Sequence, residues 1–447
     1  MSQPVSYRVV GNVGVITIDN PPVNAFSHAV RKGLHDTMSD AIADATGILL
    51  IVCAGRTFVA GADISEFGKP PADPWLPEVL DNIENSPKPV VTAVHGTALG
   101  GGFELVLASH YRCAIASAKI GLPEVHLGLL PGAGGTQRAP RLAGVQAALE
   151  LMTSGRPISA AKARAVGLLD EVFDDDLESN ALAWCEKLLA EGKAPVKVSE
   201  MTVPAPAAGL FDAARKELSK RARGQLAPFK IVDCVEAATR LDFAQGSEFE
   251  RESFMECMAS PQSAAMRHLF FAEREAAKVH DLPKSTEIRE IRSVAVIGGG
   301  TMGGGIAMSC ANVGLAVTLL EVDDAALERG FGVIEGNYAK TVKKGRLSPE
   351  EAELRRGRIV GTTDYGDLAD VDLVIEAVFE DPELKKTIFK KLDGVCKPGA
   401  ILATNTSYQD VDAIAAVTQR PADCLGLHFF SPANVMKLLE VVRGEKT

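Results

Sequence analysis

Apolar residues in this chain fall into two arrangements: short unbroken runs, and stripes at helical spacing. VSYRVVGNVGVITIDN (5–20) is a pair of β-branched segments about Gly11 and Asn12, which predicts a hairpin. Two prolines make NPPVNAFS (20–27) a loop. Ser27 then stands where it can cap a helix over 28–45, ending before Gly47. GILLIVCAG (47–55) and VVTAVHG (90–96) are apolar throughout, as strands covered on both faces are. Strands of that kind alternating with helices predict an α/β protein with a mainly parallel sheet.

From 135 to about 220 the pattern predicts helix, with Ser159 and Ala160 opening AAKARAVGLLDEV and a loop at VPAPAAGL (203–210). Residues 226–280 hold two amphipathic stretches and predict packing helices that link two domains. HDLPKSTEIRE (280–290) is polar, carries Pro283 and reads as a domain boundary. The expected division is therefore a domain over 1–225, a helical linker over 226–288 and a second domain over 289–447. A length of 447 residues agrees, since one core rarely serves so long a chain.

Charge narrows the partners. A net charge of −11 speaks against nucleic acid or an anionic membrane surface. A small anionic ligand can still be held by main-chain amides and a few basic side chains. The eight cysteines form no C-x-x-C pair and mostly lie in apolar surroundings, so buried free thiols are expected, with neither a disulfide framework nor a metal site. No signal peptide is visible and no apolar run reaches about 18 residues, so neither secretion nor a membrane span is expected.

Two stretches carry candidate chemistry. In GTALGGGFEL (96–105) a strand runs into three glycines and a helix bearing Glu104. KIGLPEVHLGLLPGAGGTQR (119–138) places Glu124 between a strand and a second glycine-rich loop. Glycines at a helix start free N–H groups that can stabilise an oxyanion. Two carboxyls in unlike surroundings can serve as acid and base. Further on, VAVIGGGTMGGG (294–305) is a strand entering Gly298-x-Gly300-x-x-Gly303 and a helix, and VTLLEVD (317–323) ends near Glu321. That spacing is a dinucleotide fingerprint, with pyrophosphate at the helix start and a carboxylate on the ribose. Glu321 would repel a 2′-phosphate, which favours NAD over NADP.

The first pair of motifs, with RTFVAGADISEF (56–67), resembles the crotonase superfamily of enoyl-CoA hydratases and isomerases. The resemblance implies a ββα spiral and an oxyanion hole made by the amides of Ala62 and Gly101. It implies that Glu104 deprotonates water and that Glu124 delivers a proton to the substrate's α-carbon. In the related Δ3–Δ2 isomerase reaction, Glu124 would shuttle the proton by itself.

DLVIEAVFE (372–380), ILATNTSYQD (401–410) and LGLHFFSPANVMKLLEVV (425–442) resemble the L-3-hydroxyacyl-CoA dehydrogenases. That implies a Rossmann doubly wound parallel sheet and NAD as cofactor. His428 would take the hydroxyl proton, Glu440 would orient it, Ser407 and Asn405 would bind substrate, and Glu380 would support the site from behind. His95, His110 and His126 read as structural.

Both modules in this order resemble the multifunctional β-oxidation enzymes, peroxisomal-type or bacterial. The resemblance implies acyl-CoA thioesters as ligands, leaves room for an oligomer or a thiolase partner, and suggests a bacterial cytoplasm or, in a eukaryote, a peroxisome. Those enzymes continue into helical domains that supply an active-site Asn, whereas this chain stops at Thr447, and Tyr408 stands where they usually have Ser. The expectation is a competent hydratase joined to a module that binds NAD but oxidises 3-hydroxyacyl-CoA poorly or not at all. The alternatives are a non-catalytic acyl-CoA and NAD scaffold, or another crotonase-type reaction.

Overall fold

The computed structural model describes residues 3–67, 72–283 and 285–447 of the chain, in two units, Met1–His280 and Asp281–Thr447. In the first, β1 (Val5–Val10) and β2 (Val13–Ile18) form the expected hairpin. The helix α1 (His28–Ala43) is capped by Ser27, whose Oγ accepts from the amide of Val30 at 3.4 Å. It stops two residues short of the expected end, because Asp44 is extended and its Oδ1 takes the Lys88 ammonium and the Thr46 amide, at 2.7 and 2.8 Å.

Next come β3 (Ile48–Cys53), α2 (Leu76–Glu84), β4 (Val90–Val94), β5 (Thr97–Leu99), α3 (Gly101–Ala108), β6 (Tyr111–Ile115) and β7 (Lys119–Gly121). They are followed by α4 (Gly135–Ser154), β8 (Ile158–Ser159), α5 (Ala160–Ala165), β9 (Glu171–Phe173), α6 (Leu177–Ala190) and α7 (Leu210–Arg221). The large sheet runs β1-β2-β3-β4-β6-β9, parallel from β2 onward, and a small sheet runs β5-β7-β8. Alternation along the strands separates two cores. Val13, Val15, Ile48, Leu50 and Val91 meet Ala181, Cys185 and Leu188 of α6, while Ile16, Ile18, Leu49, Ile51 and Val90 share a core with Val30, Leu34 and Met38 of α1.

Two expectations change here. The stretch from 135 to 220 is not helical throughout: the chain turns at Gly167, and Glu171–Phe173 joins the sheet beside β6. Three residues are too few to show a strand period. The linker expected over 226–288 is also not a segment of its own. Its helices α8 (Ala227–Ala238), α9 (Phe243–Ala259) and α10 (Pro261–Ala276) belong to the first unit, and Ile231, Val232, Val235 and Cys257 enter its main core. The break falls at His280–Asp281, within the polar stretch expected to be a boundary; Lys284 of that stretch lies outside the described residues.

The second unit is doubly wound. Its strands β10 (Ser293–Ile297), β11 (Ala316–Leu320), β12 (Ile359–Thr362), β13 (Leu373–Glu376), β14 (Ile401–Thr404), β15 (Cys424–Phe429) and β16 (Leu439–Arg443) lie in the order β12-β11-β10-β13-β14-β15-β16. All pair in parallel except β16, which is antiparallel to β15. The helices α11 (Thr301–Asn312), α12 (Asp324–Lys343) and α13 (Pro349–Gly357) precede α14 (Pro382–Val395) and α15 (Val411–Ala415). Val294, Val296 and Leu319 pack against Ile306 of α11 and Ile334 of α12, and Ala295, Ile297 and Val374 against Ile388 and Leu392 of α14. The strand order reverses between β10 and β13, where such sheets open a crevice for ligands. All eight cysteines are buried and unpaired.

Candidate active sites

In the first unit the glycine run ends a buried strand and opens α3. Gly100, with φ 53° and ψ −129°, turns the chain in a conformation that side chains disfavour, and Gly101 begins the helix. Phe26 and Ala62 form a parallel bridge in which Phe26 bonds Gly61 and Asp63, so the N–H of Ala62 points to the other side. A Cβ on Gly101 would stand 3.8 Å from that nitrogen. Among the described residues, neither the Ala62 nor the Gly101 amide donates a hydrogen bond. Two free donors therefore converge beside a glycine-lined surface, as an oxyanion hole requires.

Glu104 lies one turn into α3 and is 3% exposed. Its Oε1 accepts from the amides of Ala133 and Gly135, at 2.8 and 2.9 Å, ahead of α4. Burial raises its proton affinity above the ordinary carboxylate value, and those amides with the Arg138 charge offset only part of that rise. Arg138 is buried beneath the loop, bonding the Ala133 carbonyl at 3.0 Å and the Glu84 carboxylate at 2.6 Å.

Glu124 opens the 3-10 turn Glu124–Leu127. Its Oε1 lies 3.1 Å from where a Cβ on Gly100 would be, so its carboxyl rests on the residue that caps α3. Its Oε2 is shielded from solvent and finds no partner among the described residues. Burial, then the neighbouring charge of Glu104, pushes Glu124 well above the carboxylate range. The two glutamates thus differ in kind: one is held by amides, the other is left neutral and able to give up a proton.

A third carboxyl escaped the reading of the sequence. Glu250, on α9, is 2% exposed; its Oε1 accepts from Gly134 N at 2.6 Å and its Oε2 from Thr136 N at 2.9 Å and from the Thr136 hydroxyl. Burial and the charge of Glu104 push it up to about 8. Its helical stripe marks it only as a face position, and its partners are distant in the chain.

In the second unit, β10 runs into Gly298, which has φ 93°, and α11 follows from Gly300. A Cβ on Gly303 would fall 1.7 Å from the Gly298 carbonyl oxygen, so the helix closes on the loop only with glycine there. A Cβ on Gly300 would meet nothing within 4 Å, and among the described residues the amides of Gly300, Thr301 and Met302 have no partner. Glu321, after β11, accepts from Gly299 N at 2.6 Å and lies beside this opening. Open space, free amides and a carboxylate at the end of the second strand fit a dinucleotide.

His428 on β15 stands opposite Glu440 on β16, with 2.7 Å between Nδ1 and Oε2. Ser407 donates its amide to Glu380 at 2.9 Å and its hydroxyl at 3.4 Å. Burial pulls Glu380 upward, but the Ser407 amide and the Lys385 charge hold its carboxyl below the usual range. Lys385 is itself buried against Glu376 at 2.8 Å. Asn405 commits its Oδ1 to the amide of Phe429, 2.9 Å away, tying this loop to the strand of His428 and leaving only its NH2 group for a ligand. Tyr408 is exposed.

The other histidines brace the backbone or stand aside. His95 Nε2 lies 3.0 Å from the Gly55 carbonyl, His110 is buried between Val90 N and the Glu84 carbonyl, and His126 is exposed. Among the described residues no three His, Cys, Asp or Glu gather as a metal site.

Residues 8–223 match the family model of enoyl-CoA hydratase/isomerase, and residues 293–447 that of the 3-hydroxyacyl-CoA dehydrogenase NAD binding domain. The fold and sites thus define a crotonase-type domain followed by a dinucleotide-binding domain. In this order of domains the chain is similar, over nearly its whole length, to multifunctional β-oxidation enzymes. It is 46% identical over 445 residues to the peroxisomal bifunctional enzyme of Danio rerio, covering 98% of this chain and 61% of that one. The human peroxisomal bifunctional enzyme is 40% identical over 446 residues, covering 98% and 61%. The Arabidopsis thaliana peroxisomal fatty acid beta-oxidation multifunctional protein MFP2 is 36% identical over 452 residues, covering 97% and 62%. The chain spans about three fifths of the length of these relatives.

Proposed function

We propose that the first unit hydrates trans-2-enoyl-CoA thioesters to 3-hydroxyacyl-CoA, and that it also moves a Δ3 double bond to Δ2. The observation that carries this reading is the pair of amides, Ala62 and Gly101, without partners among the described residues, opening beside two carboxyls in unlike surroundings, one accepting two amides and the other with an unpartnered oxygen. The thioester carbonyl accepts both amides, so charge developing on its oxygen meets fixed donors. Glu104, ionised and steadied by the Ala133 and Gly135 amides, takes a proton from water as its oxygen bonds C3. Glu124, neutral, gives its proton to C2. In the isomerisation, Glu124 starts from its ionised form, takes a proton from C2 and returns that proton at C4.

We further propose that the second unit binds NAD through Gly298, Gly300, Gly303 and Glu321. NAD+ when bound supplies the acceptor for the hydride of the 3-hydroxyl carbon. His428 takes the hydroxyl proton on Nε2 while Glu440 holds Nδ1–H, with Ser407 and the Asn405 NH2 group facing the substrate oxygen. If the chain is eukaryotic, a peroxisome is the compartment its relatives' names support.

One time course with crotonyl-CoA and NAD+ tests both halves, following thioester absorbance and NADH together. Loss of the enoyl absorbance is expected; its persistence would discard the hydratase reading. NADH formation reports separately on the second unit.

A further inference from the structure

The amides at the start of α4 are dealt alternately to two acids: Ala133 and Gly135 to Glu104, Gly134 and Thr136 to Glu250. Both side chains are almost wholly buried. A helix start offers about half a unit of positive charge, which cannot balance two carboxylates in a dry site. The other groups facing Glu250 do not make up the difference. Glu104 comes from α3 and Glu124 from the turn after β7, both acids, and the Cys234 thiol comes from α8. Arg138 of α4 is already bonded to Glu84 and Asp81. The pair therefore keeps one proton. The Thr136 hydroxyl, which gives its proton to an ionised Glu250 Oε2, can turn and accept one from a protonated Glu250, whereas the partners of Glu104 Oε1 are N–H groups that only donate.

We propose that Glu250 is a positioning residue for hydration: it carries the proton of the pair, leaving Glu104 ionised on its two amides as the base for water. This rests on the hydratase reading, in which Glu104 is that base. Above the pH at which Glu250 ionises, about 8, two like charges share one helix start and Glu104 is driven to take back a proton or leave its amides. Hydration then falls.

The test is kcat/KM for crotonyl-CoA hydration from pH 6 to 9.5, with melting temperatures over the same range, for wild type, Glu250→Gln and Glu104→Gln. Wild type is expected to lose activity through about pH 8. A group whose proton affinity is raised by folding stabilises the protein at low pH and ceases to as pH rises through its folded value. The wild-type melting temperature should therefore fall over the same interval. Glu250→Gln imitates the protonated acid: its alkaline fall should move upward and its melting curve should flatten, with KM unmoved. Its kcat should be about fivefold lower, the worth of one imperfect hydrogen bond. An unmoved alkaline fall in Glu250→Gln overturns the proposal, as does a wild type with neither activity nor melting inflection near pH 8, which decides the matter even if the variant does not fold. If Glu104→Gln hydrates as fast as wild type, the hydratase reading fails instead, and the melting curves still report on Glu250.

Discussion

His428 and Glu440 face each other across an antiparallel pair of strands, in register, with 2.7 Å between Nδ1 and Oε2. Their twelve-residue separation is the length of chain needed to leave β15 and return as β16. A carboxylate at that distance favours the imidazole proton on Nδ1, which in the proposed dehydrogenation leaves Nε2 to act as the base. In Glu440→Gln that proton is expected to distribute between both nitrogens, visible in the imidazole 15N spectrum. A tautomer unchanged by the substitution would count against the pair. In any NADH-forming assay, Glu440→Gln added to His428→Gln should cost nothing further, as for two residues acting together.

Replacing either glutamate of the first site should stop hydration without unfolding the protein. Glu104→Gln and Glu124→Gln are each expected to lose ~10²-fold or more in kcat, the usual worth of a general acid or base. The assay is loss of thioester absorbance, with circular dichroism to confirm the fold. Rates within a factor of a few of wild type in both would remove the mechanism.

Two glycines of the nucleotide loop should behave oppositely on the same substitution. Gly303→Ala forces a methyl group onto the Gly298 carbonyl oxygen, so the second unit should melt earlier. Gly300→Ala meets nothing in the protein and should leave melting unchanged while intruding where pyrophosphate would lie. Calorimetric titration with NAD should show weakened binding in Gly300→Ala. Full affinity there would mean the cofactor lies elsewhere.

His110 should make the first unit less stable in mild acid. Its Nδ1 accepts from Val90 N at 2.9 Å and its Nε2 donates to the Glu84 carbonyl, so the neutral ring is the one that fits. Burial holds its proton affinity below the ordinary histidine value. Its contribution is whole above the unfolded value of about 6.5 and drains away as pH falls toward the folded one, at no more than about 1.4 kcal/mol per pH unit. The buried site carboxyls act with the opposite sign, so the comparison is with His110→Gln. The difference in melting temperature between the two proteins should shrink from pH 7.5 to 5, and a constant difference would refute this.

Features set by neighbours in the chain were legible in the sequence. Ser27 caps α1 and the hairpin turns at Gly11 and Asn12, because both depend on side-chain chemistry within a few residues. The glycine runs marked both sites, since close backbone approach needs glycine wherever the fold later brings the partner. What depended on distant partners was hidden. Asp44 ends α1 early because Lys88 reaches it, and three residues after Gly167 become strand only because β6 offers an edge. Glu250 looked like one more acid on an amphipathic helix; its meaning lies in amides more than a hundred positions earlier.

The helices that follow residue 225 also bear on how this protein can be divided. Besides Glu250 from α9, Ser263 of α10 bonds the Leu127 carbonyl at 2.9 Å, at the far end of the turn that carries Glu124. A fragment cut where the family match ends would bare the start of α4 and take away the bond that holds the end of that turn. An engineer wishing to swap the second half for another enzyme should splice downstream of Ala276.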